Sequence, residues 1–283
     1  YEKWADKVEA GYVAAAKFLH SLKIFNARDL PYQTQLVPLA AILAELGAGW
    51  DNDAVRQKLA RWYWCGVLGE LYGSAVESRF ALDVRDFMPW INGGPEPQTV
   101  QRASFEEKRL RTLRSRLSAA YKGVHALLMK SGARDFKSGQ PYDQAVFFDE
   151  NIDIHHIFPE AWCKNQNIEP AIYNSIVNKT PLASATNRML GGHAPSTYLA
   201  RLTKGNDHNP PVAPDRLIAI IQSHEIDDDL LASDDFDGFM AHRRSRLLAM
   251  IEAAMGKEAV RESVLPMDQE DEYYGEEELA EAA

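Results

Sequence analysis

A change of texture near the middle of the chain constrains its fold more than any other feature. Residues 140–159, "QPYDQAVFFDENIDIHHIFP", are rich in aromatic and β-branched residues with polar alternation, which predicts a strand or hairpin. Most of the remaining sequence has helical periodicity. The expectation is a mainly helical chain carrying a small β-containing insert. Inside that insert two histidines, His155 and His156, stand side by side. Neighbouring side chains on a strand point to opposite faces, so one face would carry His155 and Ile157 and the other Ile154, His156 and Phe158. Two adjacent rings cannot chelate one ion as an i, i+4 helical pair could. They can serve two roles at one site, one ring on a metal and the other turned towards a water.

The helical stretches are read as follows. "YEKWADKVEAGYVAAAKFLHSL" places Trp4, Val8, Tyr12, Ala15 and Phe18 at helical spacing. "LVPLAAILAELGA" is a short apolar helix closing on Gly47. "NDAVRQKLARWYWCGVLGELYG" opens on an Asn/Asp cap signal and runs into Trp62, Tyr63 and Trp64, expected to be helix core. "ESRFALDVRDFMPWI" is a further helix. Residues 104–132 are expected to form one long helix. Ser104 and Glu107 would make its capping box, and Leu110, Leu113, Leu117, Tyr121, Val124 and Leu128 its apolar stripe. Arg109, Arg111, Arg114, Arg116 and Lys122 lie largely off that stripe. Two more helices are expected at roughly 214–224 and 233–255. The segments then divide as 1–100 helical, 101–140 long basic helix and loop, 141–200 the insert, 201–260 C-terminal helices, and 261–283 an acidic, disordered tail.

The net charge of −10 speaks at first against a nucleic-acid partner, but its distribution reverses the argument. Residues 264–283 hold eight acidic and no basic residues, so the remainder carries −10 + 8 = −2. Residues 101–140 hold ten Lys and Arg against three acids. Local charge sets the field that a phosphate backbone meets. No apolar run reaches the roughly 20 residues that a membrane-spanning helix needs, so no membrane partner is expected. Cys65 and Cys163 are the only cysteines, neither in a CxxC, which excludes a four-cysteine zinc site and points to a reducing, cytoplasmic setting. The chain opens on Tyr1 rather than Met, so a domain upstream is expected.

Residues 151–200 read as strand, loop, strand, helix. "DIHHIFP" followed by "SIVNKTPLASATNR" resembles the HNH, or ββα-metal, endonuclease family. The flanking "RWYWCGVLGELYG", the basic stretch before the motif and "APSTYL" after it resemble the C-terminal nuclease half of GmrSD-type modification-dependent restriction proteins. Phosphorothioate-sensing SspE proteins are their relatives. The resemblance covers about 45 of the 283 residues. It implies a fold that is mainly α with an inserted ββα-metal motif. It also implies an endonuclease or nickase acting on double-stranded DNA, the effector of an anti-phage restriction system, with a nucleotide-hydrolysing sensor domain upstream.

By the same resemblance His155 is a metal ligand, His156 the general base and Asn187 the second ligand. Asn178 is the asparagine that closes the loop between the strands, grouped with His156 as catalytic. Arg188, Lys179, Arg111, Arg114 and Arg116 would contact DNA. A neutral imidazole with a pKa near 6.5 can take a proton from water at physiological pH. One His and one Asn leave open coordination positions, which suits Mg²⁺ or Mn²⁺ better than Zn²⁺. The chain departs from histidine-rich members of the family, because Gly191 occupies the place of a further ligand and His193 lies past a Gly-Gly. Asp153 could orient His155 or simply face solvent. The alternative function is a helical DNA- or partner-binding module whose HNH-like segment is only scaffold.

Overall fold

The computed structural model describes residues 2–74, 76–143, 147–148, 152–206 and 210–261. The acidic stretch expected to be a disordered tail lies outside them beyond residue 261, as do His208 and parts of the 140–151 stretch. The chain is mainly helical, and the described residues contain a single two-stranded sheet. It divides into two compact units. The described residues of 2–105, 117–126 and 250–260 form the first, and those of 106–116, 127–249 and 261 the second.

The first unit is helical. Helices Glu2–Ser21, Leu36–Leu46, Asp53–Leu68 and Glu77–Ile91 form much as periodicity and capping predict. Asn52 caps the third, its side chain accepting from the Ala54 and Val55 amides at 3.0 and 3.4 Å. That satisfies two donors with no partner inside the helix. Trp62, Tyr63 and Trp64 are all buried. The first two helices approach closely at Gly11, where a Cβ would meet the Ala40 carbonyl oxygen at 2.4 Å. The first helix departs from its expected apolar stripe. Ala15 and Phe18 are buried, whereas Trp4, Val8 and Tyr12 are 52%, 48% and 43% exposed.

The long helix expected over 104–132 is broken. Helical residues are confined there to Arg109–Thr112 and Ala119–Lys130. Leu113 turns extended, with φ −70° and ψ 98°, and its carbonyl accepts from the Ile176 amide at 2.8 Å. The Arg114 carbonyl accepts from Lys179 Nζ at 3.1 Å. Non-local partners thus take backbone acceptors that a continuous helix would have used, and tertiary bonding overrides helix propensity. The capping box does not form, since the helix starts at Arg109; Glu107 instead pairs with Arg244 at 3.5 Å. Leu117, placed on the expected apolar stripe, is 61% exposed.

The sheet belongs to the second unit. Strand β1, Ile152–His156, pairs antiparallel with β2, Lys179–Ala183. Of the stretch 140–159, expected as a strand or hairpin, the described strand residues are Ile152–His156. The helix Ser184–Leu190 follows β2 directly. The loop between the strands holds two short helices, Glu160–Asn165 and Pro170–Tyr173. Ile157, Phe158, Tyr173, Leu182, Leu190 and Tyr198 share one buried cluster with Phe136 and Phe239. Helices Pro214–Gln222, Asp228–Ala232 and Phe236–Met255 follow.

Candidate active site

Asn178 organises the β1–β2 loop. It is fully buried, and its Oδ1 accepts from the Phe158 amide at 2.9 Å. Its Nδ2 donates to the Phe158 and Tyr173 carbonyls, both at 3.0 Å. The Asn178 carbonyl accepts from the Ile157 amide at 2.9 Å. The side chain therefore bonds both ends of the loop at once. It stands at the loop between the strands, where it was expected, and its side chain bonds only to backbone. A side chain with no exposure and all its bonds to backbone can act on substrate only through the residues it positions.

In the strand register His155 stands opposite Thr180, and His156 opposite Lys179. Asp153, His155, Thr180 and Leu182 share one face; Ile154, His156, Lys179 and Pro181 share the other. Thr180 on the His155 face bonds His224 Nδ1 at 2.5 Å, and Leu182 and Leu190 of the following helix belong to one buried cluster. Asn187 is half-buried on this helix and Arg188 beside it is exposed. The helix stops at Gly191, whose φ of +61° favours glycine, and His193 beyond it is exposed.

The two histidines differ in their surroundings. His155 Nε2 is buried and has no hydrogen-bond partner among the described residues. Burial pushes its pKa down to about 4, helped by the positive charge of Arg116 and by His156. His156 Nε2 lies 3.0 Å from Asn174 Oδ1, and its ring meets Tyr173 edge-on at 6.0 Å. Burial also lowers the His156 pKa, against the opposing effect of the Asn174 bond. Both rings are therefore neutral at physiological pH and keep a lone pair for a metal or a proton.

Cationic side chains gather beside this pair. Arg114 is exposed, with its Nε donating to the Ala171 carbonyl at 3.1 Å. Arg116 forms an ion pair with Asp153, which also accepts from the Ile154 amide at 2.7 Å. Asp153 thus pairs with an arginine while its side chain stays part-exposed. Burial, with Arg116 nearby, pulls the Lys179 pKa down to about 8. Arg111 is exposed on the Arg109–Thr112 turn. These arginines do not line one helix face as expected; the backbone between Arg111 and Arg116 is bent around the loop.

Three supporting residues were not singled out by the sequence. Asp135 is buried; it accepts from the Ala183 amide at 3.0 Å and from Thr186 Oγ1 at 2.7 Å, pinning the start of the helix that carries Asn187. Its "DFKSG" turn chemistry was a legible cue. Arg243 is fully buried and donates to the carbonyls of Val177, Lys179 and His224, gripping the backbone on both sides of Asn178. Within "AHRRSR" nothing distinguishes it from solvated arginines. Asn174, four residues before Asn178, carries no signal of its own.

Among the described residues, no three His, Cys, Asp or Glu side chains group as a metal-binding set. The orphaned, buried and neutral Nε2 of His155 nevertheless fits a cation ligand, and Asn187, on the helix that follows β2, is the second residue that would hold the ion. No described helix is long and apolar enough to cross a membrane.

No family model matches the chain. A relative in the archaeon Methanocaldococcus jannaschii, the uncharacterized protein MJ0686, is 28% identical over 181 residues. That match takes in 61% of this chain and 30% of the relative's own length.

Proposed function

We propose that this chain carries a metal-dependent endonuclease site of the HNH type, which hydrolyses one strand of double-stranded DNA. The observation that carries the reading is the pairing of unlike neighbours on β1. His155 presents a buried nitrogen with no partner, and His156 beside it is held by a neutral amide. Structural histidines are ordinarily satisfied when buried; one bonded and one unbonded ring in sequence suit two jobs at one centre.

In this reading His155 and Asn187 would hold a divalent cation, magnesium or manganese. That ion would supply the charge needed to neutralise the phosphate oxygens and the departing 3′-oxygen. His156 takes a proton from the attacking water. The water oxygen bonds to phosphorus, the bond to the 3′-oxygen breaks, and that oxygen takes a proton from solvent. The products are a 5′-phosphate and a 3′-hydroxyl. Lys179, opposite His156, and the exposed Arg114, Arg116 and Arg188 hold the DNA backbone. Asn178 sets the height of β1 against β2. A double-strand break requires two copies or two events. In the longer protein, a nucleotide-hydrolysing sensor would decide when this site cuts, as part of a restriction system against phage.

The test is nicking of supercoiled plasmid by the chain with Mg²⁺ or Mn²⁺. His156→Ala and Asn187→Ala are expected to abolish it, general-base catalysis alone contributing about 10²–10⁴-fold. Full activity in either variant sinks the assignment. DNA binding that persists with no metal-dependent nicking by the wild type would favour the scaffold alternative.

A further inference from the structure

The mechanism above requires His156 to accept a proton but leaves open which ring nitrogen does so. We infer that Asn174 is a positioning residue that fixes the tautomer of His156, leaving Nδ1 as the atom that takes the proton. This inference rests on the nuclease reading of His156. The Asn174 side-chain oxygen lies 3.0 Å from His156 Nε2. An amide oxygen can only accept, so the ring proton sits on Nε2 and the Nδ1 lone pair remains open.

The placement of that oxygen is built in. Asn174 closes the short helix Pro170–Tyr173, its amide donating to the Pro170 carbonyl at 3.0 Å. The preceding carbonyl, that of Tyr173, is held by Asn178 Nδ2 at 3.0 Å. Tyr173 is itself buried, with its ring against His156. The same asparagine that closes the loop thus locates the residue that orients the base. An amide also does this without adding a negative charge, which would favour the protonated ring. The contrast with His155 is direct: its Nε2 has no partner among the described residues, whereas the Nε2 of His156 is occupied. The two rings would then work through different nitrogens, Nε2 of His155 towards a cation and Nδ1 of His156 towards water.

The experiment reads the tautomer first and activity second. Two-bond ¹H–¹⁵N spectra of the labelled chain, without metal or DNA, are expected to show His156 protonated on Nε2. Asn174→Leu is expected to give a mixture of tautomers, and Asn174→Asp, which keeps the acceptor oxygen, to restore the Nε2–H form. In nicking assays Asn174→Leu should lower kcat about tenfold or more with KM within about twofold, the signature of a mispositioned base rather than weakened binding. A wild-type His156 protonated on Nδ1 overturns the inference while leaving the nuclease reading intact. So does an unchanged tautomer or an unchanged kcat in Asn174→Leu. Should that variant fail to fold, the wild-type and Asn174→Asp spectra still decide. A wild type that never nicks overturns the nuclease reading itself and, with it, the role given to Asn174.

Discussion

Two groups of buried polar side chains, one in each unit, are satisfied in different ways. In the first, Asp83 lies inside an aromatic core, accepting from Trp62 Nε1 at 3.0 Å and from the Tyr72 hydroxyl. Around Asp83 side chains satisfy one another, between helices that local sequence already defines, although Gln35 in the same unit donates to the Tyr63 carbonyl at 3.1 Å. In the second unit, Asn178, Asp135 and Arg243 bond mainly to backbone, across separations of 2 to 66 residues. A side chain bonded to backbone sets where the chain goes, not only how tightly it packs. The first pattern stabilises a core; the second shapes a site. A loop that carried the proposed chemistry would need fixed coordinates, and buried amide, carboxylate and guanidinium groups supply them at defined positions.

Replacing one residue from each pattern should separate stability from chemistry. Asn178→Ala leaves the Phe158 amide and the Tyr173 carbonyl without partners and the Phe158 carbonyl with only the Cys163 thiol, at a cost of about 3 kcal/mol. It should also reduce nicking by at least about 10²-fold per folded molecule, because both His155 and His156 lose their frame. Asp83→Ala leaves the Trp62 indole N–H unpaired and removes the carboxylate partner of the Tyr72 hydroxyl, at a cost of about 3 kcal/mol, with nicking per folded molecule unchanged. Urea denaturation alongside plasmid nicking checks both. Equal losses of activity would mean the two patterns do not differ in kind.

Asp135→Ala tests the comparison more gently. It frees the Ala183 amide and the Thr186 hydroxyl at the start of the helix bearing Asn187. The expected result is weaker binding of Mn²⁺, read by the paramagnetic broadening of nearby resonances, with Asn187→Ala as the reference for complete loss. Unchanged broadening would separate that helix start from the metal position.

A pH effect of about 2 kcal/mol is expected from His224. Its Nε2 lies 2.6 Å from the Arg134 carbonyl and its Nδ1 2.5 Å from Thr180 Oγ1, and burial pushes its pKa down to about 3 from 6.5. The folded chain stays neutral at His224 while the unfolded chain takes a proton below pH 6.5. Stability is therefore lost as pH falls from 6.5 towards 3, by about 2 kcal/mol at pH 5 relative to pH 7. His224→Phe should flatten that dependence in urea titrations. An equal slope in wild type and variant would remove His224 from the account.

The smallest effect belongs to the exposed arginines. Arg111→Ala, Arg114→Ala and Arg116→Ala should each weaken DNA binding modestly and reduce the salt slope by up to about one unit. Arg116 is expected to matter least, since Asp153 already neutralises part of its charge. An unchanged slope in all three would turn this face away from DNA.

Much of the first unit was legible. The Asn52 cap, the buried Trp62–Tyr63–Trp64 run and the Glu77–Ile91 helix follow from local spacing, which depends only on neighbours a few residues apart. The candidate site was legible in its elements: a strand at His155 and His156, a second strand, then a helix bearing Asn187. The break at Leu113 was not, because the bond that causes it comes from Ile176, 63 residues away. Arg243 and Asn174 were not, because each is defined by a partner outside any local pattern.

By itself, then, the sequence determined a mainly helical chain, the alternation that sends His155 and His156 to opposite faces, and the asparagine that closes the loop between the strands. Tertiary structure decided the rest: which histidine nitrogen is occupied and which is left without a partner, where the basic segment bends, and that a fully buried arginine grips the strand. The physical reason is range. Periodicity and capping act within a few residues, whereas desolvation and hydrogen bonding at a site act between whichever groups the folded chain brings together.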